Sequence, residues 1–225
     1  MELLENIPVD LDVGEVKRRL RLKGEEQSGQ IQALIDVAAP LISARAAYQV
    51  AYIDEKGADD VTINGVRLRS RVLRKNLEEV GRVFPYVVTL GAELEAKVAD
   101  YPDMLEKYYL DTIGNVALTQ ARKHLEDGLR SKLALGGMSF MSPGSLKDWP
   151  IEEQRPLFAI IGDVEATIGV RLSESLLMIP RKSVSGLFFS TEISFQSCQL
   201  CPRERCENRR ARYDEGMARE YGLIE

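Results

Sequence analysis

The feature that most constrains the fold is a pair of short β-branched segments that meet at an Asn-Gly dipeptide. Residues 61–63 read Val-Thr-Ile, Asn64-Gly65 follows, and residues 66–68 read Val-Arg-Leu. Asn and Gly tolerate the positive φ that a two-residue type I′ turn requires, so the pattern predicts a tight antiparallel hairpin. The chain therefore contains an antiparallel sheet.

Helical periodicity occupies much of the remaining sequence. One-sided apolar spacing predicts helices over residues 16–22 and 28–42, the second interrupted at Pro40, and a long helix over residues 104–133. Further helices are predicted at 71–80, 92–99, from 150 onward and at 206–221, and strands at 48–53, 83–90, 176–179 and 184–189. Because strands and helices do not alternate regularly, the sequence favours an α+β architecture.

Length and composition limit the classes of protein. The 225 residues suffice for one large domain or for two, which we place at 1–100 and 101–225, with a single domain over 1–225 as the alternative. No apolar run approaches the roughly 20 residues that span a bilayer, and no basic region precedes an apolar one at the N-terminus. We therefore expect a cytoplasmic protein without a membrane partner.

Charge argues against a nucleic-acid partner, because the formal net charge is −5. Basic runs do occur at residues 17–21, 67–75 and 203–212, but acids or apolar residues interrupt each of them. We interpret them as solvated faces rather than phosphate-binding patches. Acid–base or nucleophilic catalysis is not indicated either, since Asp148, Glu152, Glu153 and Glu174 suit caps and surface charges.

Two ordered segments are more specific. Residues 142–154 read Ser-Pro-Gly-Ser-Leu-Lys-Asp-Trp-Pro-Ile-Glu-Glu-Gln, and residues 168–186 run from Ile-Gly-Val-Arg-Leu-Ser-Glu-Ser to Ser-Val-Ser-Gly. Together they resemble the activation (reactivation) domain of cobalamin-dependent methionine synthase, in a stand-alone form with a cysteine-containing tail. Residues 111–114, Asp-Thr-Ile-Gly, resemble a helix motif of the same family. The detailed resemblance covers residues 108–210.

The resemblance implies a twisted antiparallel sheet flanked by helices, with S-adenosylmethionine lying against the sheet. It also implies a role: the domain presents the methyl group of S-adenosylmethionine to an oxidised corrinoid while another protein donates an electron. Proximity and orientation would be its main contribution. The chain has no Asp-x-His-x-x-Gly segment, so cobalamin is expected only on a partner, a methionine synthase or other corrinoid protein.

The candidate site combines a backbone turn with a strand of small residues. Pro143-Gly144 allows close approach of a ligand, and the Ser-Val-Ser-Gly strand offers hydroxyl and amide groups. The alternative is that these are only a turn and a bulged strand. The predicted ligand-binding residues are Phe140, Ser142, Pro143, Gly144, Ser145, Ser183, Val184, Ser185 and Gly186.

Three positions depart from the family pattern. Phe140 stands where relatives that bind S-adenosylmethionine carry an Arg, and Ser145 stands where they carry a Tyr; Thr119 replaces a common acid. Phe cannot replace the fork of donors that Arg offers to a carboxylate. Two functions stay open. The first is a reactivation factor that uses S-adenosylmethionine; the second is a non-catalytic metal- or cluster-binding interaction module for a corrinoid protein, a module that has lost S-adenosylmethionine binding.

The three cysteines, Cys198, Cys201 and Cys206, fall within nine residues. Close thiolates suit zinc or an iron–sulfur cluster, and neighbouring arginines favour the thiolate form. A structural zinc site, however, takes four ligands, and the only histidine, His124, is remote in sequence. A metal or cluster site, free thiols and a Cys198–Cys201 disulfide are the alternatives.

Overall fold

A computed structural model describes residues 1–192, 195–206 and 209–224. Ten strands lie in these residues: β1 Glu2–Leu4, β2 Arg45–Tyr48, β3 Ala51–Lys56, β4 Asp60–Ile63, β5 Val66–Arg69, β6 Arg82–Thr89, β7 Met138–Met141, β8 Arg171–Leu172, β9 Met178–Ile179 and β10 Ser183–Ser190. The α-helices are α1 Val13–Leu20, α2 Ser28–Ala38, α3 Arg71–Asn76, α4 Glu93–Asp100, α5 Met104–Lys132, α6 Gln154–Ile161, α7 Val164–Ile168 and α8 Glu215–Glu220.

Eight of the described strands form one antiparallel sheet around β6. Strands run in the order β1-β2-β6-β3-β4-β5, and β10 pairs with the other edge of β6 and with β7. The predicted α+β fold with an antiparallel sheet flanked by helices is confirmed. The predicted hairpin is also confirmed: β4 pairs with β5, and Asn64 and Gly65 have φ of 48° and 76°.

Alternation along β6 divides the core into two layers. Phe84, Tyr86 and Val88 face one hydrophobic cluster, which α1, α2 and α5 cover. Val83 and Val87 face the other, which α3, α6 and α7 cover together with residues near the C-terminus. Successive side chains of a strand point to opposite faces, so one central strand anchors both layers. None of the described helices combines the length and apolar character that crossing a bilayer requires.

The sheet unites residues from both sides of position 100. β6 and β10 pair in seven consecutive positions, from Ser183 opposite Thr89 to Phe189 opposite Val83. A division into domains at residue 100 would cut this ladder. The pairing favours the single-domain alternative, which we propose.

Two predicted elements differ from the structure. The predicted strand 48–53 is interrupted: β2 ends at Tyr48 and β3 begins at Ala51, with the Gln49 N–H donating to the Pro85 carbonyl at 3.0 Å. Pro85 has no N–H to return that bond, so the ladder stops opposite it. The predicted helix 206–221 begins only at Glu215, where Asp214 caps it. Residues 207 and 208 of that prediction lie outside the described residues.

Candidate functional site

The Pro-Gly turn and the small-residue strand meet at Ser142 and Gly186. β7 pairs with β10 up to Met141 opposite Leu187, which places Ser142 beside Gly186 at the end of the ladder. A Cβ atom on Gly186 would lie 2.9 Å from Ser142 Oγ and 2.6 Å from the Met141 carbonyl oxygen. Real Cβ atoms do not approach that closely, so only glycine lets the two segments come together here.

The turn itself is held by short local bonds. Gly144 has a φ of +80°, and its N–H donates to the Trp149 carbonyl at 2.8 Å. Ser145 turns its hydroxyl back onto the Ser142 carbonyl at 2.6 Å. Pro143 is buried, whereas Gly144 and Ser145 are exposed. The turn therefore presents backbone and one hydroxyl-bearing residue to solvent.

Tyr86 lies across Gly186, its partner on the neighbouring strand. The ring is fully buried and stacks on Phe188 with 4.1 Å between centroids. Its hydroxyl has no hydrogen-bond partner of standard geometry among the described residues. Burial raises the pKa of Tyr86 to about 12, although the charge of Arg122 and the nearby Ser142 hydroxyl act against that rise. A neutral phenol thus closes the inner end of the site.

Phe140 carries two guanidinium groups against its ring. The Arg122 Cζ lies 4.0 Å from the ring centroid and the Arg210 Cζ lies 4.8 Å from it. The ring also meets Phe188 edge-on, with 5.9 Å between centroids. Cation–π attraction fixes both arginines, one from α5 and one from the C-terminal tail, at the half-buried end of β7.

A cleft of about 260 Å³ opens beside this aromatic cluster, between α1 and α5. Its lining residues are Glu15, Arg18, Arg19, Arg21, Val116 and Thr119. Thr119 lies one helical turn before Arg122, and the charge of Arg19 lowers the pKa of Arg210, so cleft and cluster are neighbours. The surface around Phe140 is therefore strongly basic.

The remaining predicted residues of β10 lie inside the sheet. Ser183 is buried; its hydroxyl donates to the Pro180 carbonyl at 2.7 Å and shares a second hydrogen bond with the Thr89 hydroxyl at 2.9 Å. Ser185 is also buried, and Val184 is half-buried on the α5 side. These residues shape the sheet under the turn, and Phe140, Ser142, Gly144 and Ser145 are the predicted residues with more accessible surface.

Several residues of the two sequence segments serve the fold. The Asp148 carboxylate accepts bonds from the Ser70 hydroxyl and from the Val72 N–H at 2.9 Å, which caps α3 from a distant part of the chain. Glu153 accepts from the Arg69 N–H at 2.7 Å. Asp148 is thus the cap that its sequence context predicts, although for a helix other than its own.

Lys182 joins the second segment to the helix motif at 111–114. Its ammonium lies 2.7 Å from the Asp111 carboxylate and 2.8 Å from Asn115 Oδ1. The side-chain stem crosses α5 at Gly114, where an added Cβ would lie 3.1 Å from the Lys182 Cε. Asp111 and Gly114, two residues of the helix motif at 111–114, therefore contact Lys182.

An arginine, Arg209, bonds to the backbone of the C-terminal segment that carries the three cysteines, which we call the cysteine tail. Arg209 donates to the carbonyls of Cys198 at 3.2 Å, Ala211 at 3.1 Å and Cys201 at 3.1 Å, and also to that of Arg203. All three thiols are free and half-buried. In the part of the chain that the structure describes, no three His, Cys, Asp or Glu side chains are close enough to hold a metal ion. A metal site at Cys198, Cys201 and Cys206 stays a prediction.

A family model described as the activation domain of vitamin B12 dependent methionine synthase matches residues 146–213. That span contains Asp148, Lys182, β10 and the cysteine tail. Over this span, which is under a third of the chain, the sequence is similar to the activation-domain family.

A solved structure shares the fold of most of the chain. The crystal structure of the MetH reactivation domain bound to AdoHcy superposes with a TM-score of 0.58 at 15% sequence identity, covering 87% of this chain and 79% of that one. At this identity the likeness concerns the fold. No curated protein sequence matches the chain.

Four residues of the candidate site are not indicated by the sequence. Tyr86 reads as a core residue of a buried strand, and Arg122 as one more charge on a long helix. Arg19 and Arg210 lie in basic runs that composition assigns to solvated faces. Arg210 follows the three cysteines in the chain, and no local pattern distinguishes it from the neighbouring arginines.

Proposed function

We propose that this chain reactivates a cobalamin-dependent methionine synthase carried on a separate chain. It would do so by presenting S-adenosylmethionine to the corrinoid of that partner. The family match and the fold shared with a domain bound to AdoHcy support the role. The observation that carries it is the contact between the Pro-Gly turn at Ser142 and β10 at Gly186.

The residues at this contact suit a shallow binding platform. Phe140 offers a half-buried ring, Ser142 a half-buried hydroxyl, and Gly144 and Ser145 an exposed backbone turn. Ser183, Val184, Ser185 and Gly186 support them from within the sheet, with Pro143 packed beneath the turn. The orphaned Tyr86 hydroxyl and the neighbouring guanidiniums fit a ligand with polar groups. S-Adenosylmethionine supplies the methyl group, and the protein contributes position and orientation.

The proposed reaction also needs one electron, which a separate donor protein would supply. One electron reduces the oxidised cobalt, and the methyl cation of S-adenosylmethionine then joins it, releasing S-adenosylhomocysteine. The chain would hold no cobalamin of its own. The partner is accordingly a methionine synthase or other corrinoid protein, with a separate electron donor.

Methyl transfer to a corrinoid partner tests the proposal. We would mix the chain with a methionine synthase core that lacks an activation domain, add a chemical reductant and methyl-labelled S-adenosylmethionine, and follow the corrin spectrum. The expected result is label on cobalt that requires this chain and falls for Phe140→Ala but not for the exposed control Glu152→Gln. Equal labelling with and without the chain would refute the proposal.

A second candidate function is a non-catalytic metal- or cluster-binding module for a corrinoid protein. The concentration of arginines around Phe140 favours it, because a sulfonium cation gains nothing from neighbouring positive charge. Calorimetric titration with S-adenosylmethionine separates the two functions. Binding heat supports the first, whereas no binding heat, together with retained binding of the corrinoid partner, supports the second. Anaerobic reconstitution with iron and sulfide, or with zinc, followed by metal analysis of a Cys198→Ser variant, tests the metal.

A further inference from the structure

We propose that Arg122 and Arg210 form a binding site for a small oxyanion, a carboxylate or a phosphate group, at the Phe140 ring. The site is built by two parts of the chain that are distant in sequence, α5 and the tail after the cysteines. It does not depend on which methyl donor, if any, the domain uses.

Both guanidiniums already contact the Phe140 ring before any ligand arrives. Arg122 is nearly buried, with 9% of its side chain exposed, and Phe140 fixes its plane from 4.0 Å. Arg210 follows Arg209, which ties the tail to four backbone carbonyls. The Arg210 N–H also donates to Cys198 Sγ at 3.4 Å. Prearranged donors lose little conformational freedom when they bind an anion.

Positive charge exceeds negative charge at this place. Glu126 pairs with Arg122 at 2.9 Å, but Arg210 has no carboxylate partner among the described residues. Burial lowers the pKa of the Arg210 guanidinium, and the charges of Arg122 and Arg19 lower it further. The adjoining cleft adds Arg18 and Arg21, against a single carboxylate in its lining. An oxyanion between the guanidiniums relieves this repulsion.

A buried phenol lies in the same cluster. The Tyr86 hydroxyl is fully buried and has only the Ser142 hydroxyl near it, without a hydrogen bond of standard geometry among the described residues, and its ring stacks on Phe188, which also meets Phe140. The charges of Arg122 and Arg210 both act on this phenol. Buried polar groups without partners are uncommon in native proteins and often mark a place where a ligand or water completes the bonding. Carboxylate and phosphate are the groups that paired guanidiniums recognise best.

The test uses inorganic phosphate and acetate as probes on the full-length protein. Thermal unfolding is followed with each salt against sodium chloride at equal ionic strength, and calorimetry gives the affinities. We expect both oxyanions, or one of them, to raise the melting temperature above the chloride value; the preferred probe identifies a phosphate or a carboxylate site. Arg210→Gln should weaken binding roughly ten- to hundredfold, the loss expected for a charge-assisted hydrogen bond.

Arg205→Gln is the matched control, because Arg205 is an exposed arginine of the same tail. Equal loss in both variants would indicate general charge screening and overturn the site. Crystals of the unaltered protein soaked in selenate give a second measurement that needs no variant. An anomalous peak within hydrogen-bond distance of both guanidiniums supports the proposal, and peaks only elsewhere overturn it. A silent titration with S-adenosylmethionine alongside clear phosphate binding would contradict the proposed function alone.

Discussion

Tyr86 occupies the space that a side chain at Gly186 would need. An added Cβ would stand 2.8 Å from the Tyr86 hydroxyl oxygen, and it would also meet a backbone carbonyl and the Ser142 hydroxyl. Glycine at this position thus sets the distance between the turn and the sheet. The geometry of the candidate site depends on that distance.

Gly186→Ala should therefore lower the free energy of unfolding by about 1–3 kcal/mol, because the buried backbone and phenol must move apart. Urea denaturation of the two proteins measures the change. Gly29→Ala is the control, since nothing lies within 4 Å of an added Cβ there. Equal stability of the Gly186 variant and the control would contradict the packing described.

Two glycines of α5 should respond differently to alanine. At Gly128 an added Cβ meets nothing within 4 Å, so Gly128→Ala should stabilise the protein by about 0.5–1 kcal/mol through helix propensity. At Gly114 the added atom meets Leu94 and the stem of Lys182 at 3.1–3.3 Å. Gly114→Ala should forfeit that gain and weaken the Lys182–Asp111 pair. A gain at Gly114 as large as at Gly128 would count against the crossing of Lys182.

Asp148→Asn should destabilise the fold by about 1–3 kcal/mol, because the carboxylate that receives the Ser70 hydroxyl and the Val72 N–H loses its charge. The side chain is 7% exposed, so water cannot replace these bonds. Chemical denaturation measures the loss, with Glu152→Gln as an exposed control. If the two variants unfold together, Asp148 does not cap α3.

The raised pKa of the buried Tyr86 should lower the free energy of unfolding at alkaline pH. The unfolded chain releases this phenolic proton near its ordinary pKa of about 10, whereas the folded chain holds it to about 12. The unfolded state therefore gains stability first, and the fold loses about 1.4 kcal/mol per pH unit across that window from this group. Unfolding free energies of the wild-type and Tyr86→Phe proteins should converge or cross as pH rises through it. A constant difference between them from neutral to strongly alkaline pH would show that Tyr86 titrates normally.

Local signals in the sequence predict much of the fold. The Asn64-Gly65 hairpin, the buried strand at β6 and the long helix α5 each follow from turn chemistry or apolar period. The short strand β7 and helix α7 lack such a signal. The break between β2 and β3 depends on Pro85 in another strand, which no local pattern reveals.

The candidate site is predicted only in part, for a physical reason. The turn at Pro143-Gly144 and the Ser183–Gly186 part of β10 stand out because proline, glycine and serine mark turns and places of close backbone approach. The basic character of the site comes from Arg122, Arg19 and Arg210, whose positions depend on the packing of α5, α1 and the tail. Charge runs alone do not reveal which arginines lie against an aromatic ring.

The hydrogen bonds from the Arg209 guanidinium to backbone carbonyls also bear on the chemistry of the cysteine tail. Because the Arg209 guanidinium donates to the carbonyls of Cys198 and Cys201, the bond from the Arg210 N–H to Cys198 Sγ is only one of several that shape this segment. A thiol modification there would alter the electrostatics beside Arg210 first and the backbone only afterwards. In this tail, reactions of the sulfur atoms are therefore largely independent of the backbone hydrogen bonds that keep the segment folded.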